Sequence, residues 1–342
     1  MALVPLEFEG KPYEIGYKRG RFSRYHIRFI AESKLRNIPD KEEKIQLSKH
    51  VEKILKDNYP ELVEELKGMA DGSGIKYDEM LLLNAWWDKP WWCSNVALTD
   101  TKMGPILGSA LDIGYNPELI MAHYKPEQGY SFVNVGEMTL IGAVRAMNEK
   151  GLCVGCSSVK AIDVGNGFPR YTLLRVAIQY CENVADVLKI FERFSEGLYN
   201  PGNYIFVDKG GNSVVIEQSN SGFTVRKPEN DGIACTNHYE TPERQRYQYN
   251  KYDLLWLLRN SKERYQHLLD FIRTADREKP LESMIKVIKS HGPGGLCQHG
   301  EENQLCATTA TIMLPKAMDF YVSQPQGFYC KSTFIKYTLL SE

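Results

Sequence analysis

Apolar residues recur at helical spacing early in the chain and at strand spacing through much of the remainder. Ile45, Val51, Ile54 and Leu55 form an apolar stripe at roughly helical spacing. Asp40 with Glu43 reads as a capping box that opens this helix. Pro60 restarts a second helix carrying Leu62, Leu66, Met69 and Ala70. The cluster Gly72-Ser73-Gly74 should stop it. Residues 1–92 therefore read as mostly helical.

The pattern changes after Cys93. Tyr130–Gly136, Met138–Met147 and Leu152–Val159 are short β-rich runs, and Asn148-Glu149-Lys150-Gly151 joins the last two as a hairpin. Asn203–Asp208 and Ser213–Gln218 flank Gly210-Gly211, a second hairpin signal. Residues 138–147 and 203–218 are expected to alternate between two faces. Helical stretches are expected at about Tyr171–Phe194 and Tyr249–His291. Thr308–Leu314, a turn at Pro315-Lys316-Ala317 and Met318–Ser323 close the chain with strands. Strand groups and helix groups are segregated, with hairpins in place of βαβ crossovers. This predicts an α+β fold of antiparallel sheets covered by helices.

Composition narrows the function. The 342 residues are 43% hydrophobic and 25% charged, enough for a sizeable core. Against 43 acidic residues stand 42 basic ones, so no basic excess is available to neutralise phosphates, and a nucleic-acid partner is not expected. No apolar run reaches about 18 residues, so no membrane span is expected. The first residues lack a basic segment followed by an apolar stretch. No signal peptide is read there, and a cytoplasmic location is expected. Eight cysteines are too few for a disulfide scaffold at this length.

Four of the five tryptophans fall in Trp86-Trp87-Asp88-Lys89-Pro90-Trp91-Trp92-Cys93. This run is read either as a packing loop or as the frame of an apolar pocket beside Cys93. Cys153-Val154-Gly155-Cys156 lies within a predicted strand, which disfavours a thioredoxin-type pair. Cys297, His299 and Cys306 could be its partners, but the spacing matches no zinc template. No metal site is expected, and Cys153 and Cys156 should point to opposite faces of their strand. There is no H-E-x-x-H, G-x-S-x-G or P-loop. Gly292-Pro293-Gly294-Gly295 after His291 reads as a loop, and His238 as structural.

Several ordered segments carry a resemblance. They are Phe8–Gly20, Tyr59–Ala70, Leu81–Ala85, Cys93-Ser94, Gly108-Ser109-Ala110-Leu111-Asp112, Met147–Leu152 and Thr236-Asn237-His238-Tyr239. In this order the chain resembles the acyl-coenzyme A:6-aminopenicillanic acid acyltransferase family, the C45 class of N-terminal-nucleophile hydrolases. The resemblance implies a four-layer αββα fold, two antiparallel sheets between helical layers, over a single domain 1–342. It also implies self-cleavage of Trp92–Cys93 into chains 1–92 and 93–342.

By the same resemblance Cys93 is the nucleophile and, through its freed α-amine, the base. Asp112 orients the new amino terminus, and Asn237 supplies an oxyanion donor. Trp92 stands before the nucleophile, where a small residue is common in relatives. Ser109 and Ala110 replace the polar pair before Asp112. Ser157 and Ser158 stand where relatives often place an Asn; if that Asn binds the oxyanion, a hydroxyl or a backbone N–H must do so here. Trp92, Ser157 and Ser158 are the substrate-binding candidates. The implied activity is hydrolysis or transfer of an acyl group at a small linear amide, through a Cys93 thioester. No cofactor is implied, although transfer would use an acyl-coenzyme A co-substrate. The sequence leaves open a homo-oligomer, a bile-salt or penicillin V hydrolase-like activity, and an inactive, uncut binding homologue.

Overall fold

A short strand, β1 (Leu6–Gly10), precedes five helices: α1 (Pro12–Phe22), α2 (Arg24–Ile30), α3 (Lys41–Asn58), α4 (Pro60–Ser73) and α5 (Tyr77–Trp86). The structure, a computed structural model, describes residues 5–35, 38–86, 92–112, 119–163, 165, 167–194, 200–300, 306–324 and 328–339. Helix α3 starts where its stripe predicts, but the expected capping box does not form. Asp40 is left-handed (φ 54°), and its side chain makes no capping bond. Glu42 and Glu43 remain at the positive end of the helix dipole. Pro60 opens α4 in its first turn, and Gly74 (φ 73°) closes it by donating to Ala70 O.

Helices α1 and α4 pack backbone against backbone. A Cβ built on Gly68 would lie 2.0 Å from Tyr13 O, and one on Gly16 would lie 2.0 Å from Glu65 O. Gly68→Ala must push the helices apart, at a cost of about 1–3 kcal/mol or more. We expect its thermal midpoint to fall by several degrees. An unchanged midpoint would show that this close approach is not required.

The remaining strands are β2 (Trp92–Leu98), β3 (Ile106–Asp112), β4 (Leu119–Pro126), β5 (Phe132–Glu137), β6 (Arg145–Asn148), β7 (Cys153–Ser158), β8 (Gly202–Val207), β9 (Ser213–Ser219), β10 (Gly222–Arg226), β11 (Gly232–Cys235), β12 (Ala307–Leu314), β13 (Asp319–Gln324) and β14 (Thr333–Thr338). Between them come α6 (Arg170–Tyr180), α7 (Val184–Arg193), the single turn α8 (Pro242–Gln245), α9 (Leu255–Thr274) and α10 (Pro280–Ile288).

Among the described residues the strands form two sheets. One runs β1-β4-β5-β6-β7-β8-β9-β10 and the other β11-β2-β3-β12-β13-β14. The expected hairpins β6–β7, β8–β9 and β12–β13 are present. Several pairings are not hairpins, among them the antiparallel β2–β11 and β3–β12 and, among the described strands, the one parallel pair, β1–β4, with Leu6 opposite Ala122. They join positions too distant in sequence for any turn signal to reveal.

Three apolar layers separate four structural ones. Val133, Met147, Ile205, Leu107 and Phe320 fill the space between the sheets. Leu66, Met69, Leu174, Val176 and Phe191 press helices onto the outer face of the first sheet. Leu268, Ile272, Met284 and Ile288 cover the outer face of the second. This is the predicted αββα order.

Burial does not alternate along 203–218, because both faces of that sheet are covered. Inside, Asn203 Nδ2 donates to Thr236 O (2.9 Å), and Glu217 Oε1 accepts from Arg226 Nε (2.7 Å). The run expected over 138–147 becomes strand only at Arg145. Before that, side chains satisfy its backbone. Arg19 donates to Glu137 O and Leu140 O, while Ile141 N donates to Asn84 Oδ1 (2.8 Å) and Val144 N to Asn134 Oδ1 (3.0 Å). With these groups satisfied, no ladder is needed there. Cys153 and Cys156 are buried thiols in separate layers, Cys153 between the sheets and Cys156 under the helices. They face opposite ways, as their spacing predicts.

Candidate active site

Cys93 is the second residue of β2 and is fully buried. By the two-residue strand period its side chain shares a face with Asn95 and Ala97, toward the first sheet. There Arg145 Nη2, from β6, reaches Cys93 Sγ at 3.1 Å, and Arg145 Nε donates to Ser109 Oγ (2.8 Å). Ser109 in turn donates to Asn95 Oδ1 (2.6 Å), whose amide donates to Ser157 Oγ (2.7 Å). Ser157 Oγ also approaches Cys93 O at 3.4 Å. Burial pushes the Cys93 thiol above its ordinary pKa, and Arg145 opposes that rise.

The Cys93 backbone is held from the helical side. Its N–H donates to Asn237 Oδ1 (3.0 Å). Arg264, from α9, donates through Nη1 to Cys93 O (2.9 Å) and Ser94 Oγ (2.7 Å), and through Nη2 to Asn237 Oδ1 (2.9 Å). Asn237 is fixed in turn, because its N–H donates to Ser261 Oγ (2.7 Å) and its amide nitrogen to Ser158 O (2.8 Å). Ser158 Oγ accepts from Arg170 Nη2 (2.7 Å).

Asp112 ends β3 directly opposite Trp92 in the β2–β3 ladder. Its side chain therefore lies across the sheet from the Cys93 sulfur. It is fully buried, Oδ1 lies 2.7 Å from the Tyr329 hydroxyl, and among the described residues Oδ2 has no hydrogen-bond partner. Burial pushes its carboxyl up to about 7, against the pull of Arg264, the Tyr329 phenol and Arg145.

The three residues expected at the site thus gather around the Trp92–Cys93 peptide more than around the thiol. Asn237 holds the Cys93 nitrogen, although 144 positions separate the two residues. Ser157 and Ser158 both belong to the same network. Trp92 is half-buried at the start of β2, and Trp86 is the last residue of α5. Trp87 and Trp91 lie outside the described residues.

The family model described as acyl-coenzyme A:6-aminopenicillanic acid acyl-transferase matches residues 105–314, well over half of the chain. The chain belongs to this family. No curated protein matches it in sequence. Solved structures similar to it include penicillin V acylase from Agrobacterium tumefaciens, at 12% identity, 68% of this chain, 82% of that chain and a TM-score of 0.48. A mutant of the conjugated bile acid hydrolase from Clostridium perfringens shares 12% identity over 72% of this chain and 97% of its own, with a TM-score of 0.46. A Caenorhabditis elegans N-acylethanolamine-hydrolyzing acid amidase ortholog shares 14% identity over 72% and 100%, with a TM-score of 0.46.

In this family member the sequence hid several contacts of Cys93 and Asp112. Arg145 had a signal, a lone charge inside the apolar run Ala143-Val144-Arg145-Ala146-Met147. Arg264 had another. It falls in the buried stripe Leu257, Ser261, Arg264, Leu268, Ile272 of α9, where a cation needs a partner. Tyr329 had none, because its partner Asp112 is 217 residues away. Among the described residues no helix is long and apolar enough to cross a membrane.

Proposed function

We propose that the protein is a cysteine amidase or acyltransferase of small N-acyl amides, made active by cleavage of its own Trp92–Cys93 bond. The observation that carries this reading is the separate grip on the two reacting parts of one residue. Arg145 sits on the Cys93 sulfur, and Asn237 holds the Cys93 nitrogen.

In the first reaction the Cys93 thiolate attacks the Trp92 carbonyl carbon. The C–N bond breaks as the nitrogen takes a proton, leaving Trp92 as a thioester on Cys93. Water hydrolyses that ester to a Trp92 carboxylate, a free thiol and a new α-amine. The new ammonium carries more N–H groups than the peptide did. Asn237 Oδ1 already accepts one, and Asp112 Oδ2, without a partner among the described residues, is the acceptor that suits another. Complete burial of the thiol suits a first substrate that is the chain itself.

In turnover the α-amine, with a reference pKa of ≈ 7.7–8.0, takes the thiol proton near neutral pH and passes it to the departing amine. The acyl group then rests on Cys93 until water or a second amine removes it. The Asn237 amide nitrogen is the oxyanion donor in this scheme, worth about 10²–10³ in rate by comparison with other enzymes. Ser157 and Trp92 border the acyl group.

The test is to incubate the protein with a panel of N-acyl amides, including penicillin V, bile-acid conjugates, N-acylethanolamines and β-alanyl amides. Quenched samples are mapped by mass. The expected result is an acyl increment on the peptide that begins at Cys93, together with release of free amine. Turnover that survives complete alkylation of Cys93 would sink the proposal.

A further inference from the structure

Away from Cys93, the loop after α10 folds back on itself and gathers metal-type ligands from two parts of the chain. Gly292 (φ 82°) and Gly294 (φ 72°) take left-handed conformations, and Gly295 N donates to Gly292 O (2.9 Å). Cys297 N then returns to Ser290 O (3.0 Å), which brings Cys297 and His299 beside His291. A Cβ on Gly295 would lie 2.5 Å from the His291 carbonyl carbon, so this turn needs glycine. Cys330 enters from the 3₁₀ turn Tyr329–Lys331.

The ligand atoms of His291, Cys297, His299 and Cys330 all lie within 4.8 Å of one another. His299 Nε2 is 3.2 Å from His291 Nε2, 3.6 Å from Cys297 Sγ and 3.5 Å from Cys330 Sγ. A neutral imidazole nitrogen makes one good hydrogen bond, yet three polar atoms crowd this one. These spacings do match the edges of a coordination tetrahedron. Zinc bonds of about 2.3 Å to sulfur and 2.0–2.1 Å to nitrogen place N and N about 3.3 Å apart, and N and S about 3.5 Å apart.

We propose that His291, Cys297, His299 and Cys330 bind one zinc ion in a closed, structural Cys₂His₂ site. Tetrahedral sites of two sulfurs and two nitrogens favour zinc, and four protein ligands leave no open position for substrate. Binding converts both thiols to thiolates and releases their two protons to solvent. Of the residues weighed in the sequence as partners for Cys153 and Cys156, the set keeps Cys297 and His299 and takes His291 and Cys330 in place of Cys306 and the C-x-x-C pair.

The ion would join the two segments that position Asp112. Cys297 follows Leu296, and Cys330 follows Tyr329. The Tyr329 hydroxyl lies 2.6 Å from Leu296 O and 2.7 Å from Asp112 Oδ1.

The experiment reads metal content and not turnover, so it is independent of the Cys93 chemistry. The full chain is purified under reducing conditions without chelator, supplied with zinc, desalted and analysed by elemental mass spectrometry. The expected content is about one zinc per chain. Cobalt exchange should give thiolate-to-metal charge-transfer absorption. Cys330→Ser should lose both signals. His291→Ala should weaken them, and because the His291 side chain is exposed this variant should still fold. The proposal is overturned by wild-type protein that carries no zinc after loading. It is equally overturned by full zinc in Cys330→Ser and His291→Ala, or by a Cys297–Cys330 disulfide in the reduced, zinc-loaded sample.

Discussion

Cys93→Ala is expected to leave the protein as one uncut chain and to lower amide turnover by about 10⁴-fold or more, as loss of a covalent nucleophile does elsewhere. Intact mass separates the outcomes in one spectrum. Wild type should give two pieces, the second beginning at Cys93, and the variant should give one. Cys93→Ser should lie between them, because a hydroxyl can make the same acyl shift but is the weaker nucleophile near neutral pH. The two wild-type pieces should co-elute on size exclusion. Strand β1 is paired to β4 across the cut, and Arg175 of α6 grips Glu65 of α4 through two contacts at 2.9 and 3.3 Å, both side chains buried. The other cysteines supply the control. Cys153 and Cys156 contribute packing between layers, so replacing either should lower stability and spare the chemistry. Wild type that stays uncut, and whose turnover is indifferent to Cys93→Ala, would remove Cys93 from the mechanism.

Local chemistry was legible where it acts locally. Pro60 and Gly74 bound α4 because one presets the helical φ and the other accepts a positive one. The hairpins at 148–151 and 210–211 formed because their turns join neighbours in sequence. The stretch 138–144 misled because its apolar residues suggest a strand, while Arg19, Asn84 and Asn134 reach in from elsewhere to bind its backbone. Asp40 kept the helix start but not the cap, since its backbone is left-handed where a capping residue is extended, and its side chain makes no capping bond. The site divides in the same way. Cys93, Asp112 and Asn237 were recognised through short motifs. Arg145 and Arg264 belong to no motif, and their meaning appears only when two sheets and a helix enclose the same peptide.

Arg145→Met is expected to slow turnover at neutral pH by about 10²-fold, and the shape of its pH profile carries the argument. Burial holds the Cys93 thiol above its ordinary pKa, and the Arg145 guanidinium at 3.1 Å is the largest influence acting against that. Below the thiol pKa the thiolate fraction rises tenfold per pH unit. Removing the cation moves that pKa further up, so the rate at any lower pH falls by a constant factor. As pH rises and both proteins become thiolate, the gap must close. Damage to packing would leave a gap that does not depend on pH. Arg145→Lys should fall between the two. It keeps a charge but loses the fork that reaches Ser109 and the sulfur together. Methionine has a similar length and adds no buried charge, but it leaves Ser109 Oγ without the Arg145 donor, so loss of stability is measured beside the rate. The check is kcat/KM across the pH range for all three proteins, with thermal midpoints measured at each pH. Parallel profiles for wild type and Arg145→Met would show that the guanidinium packs against Cys93 without activating it.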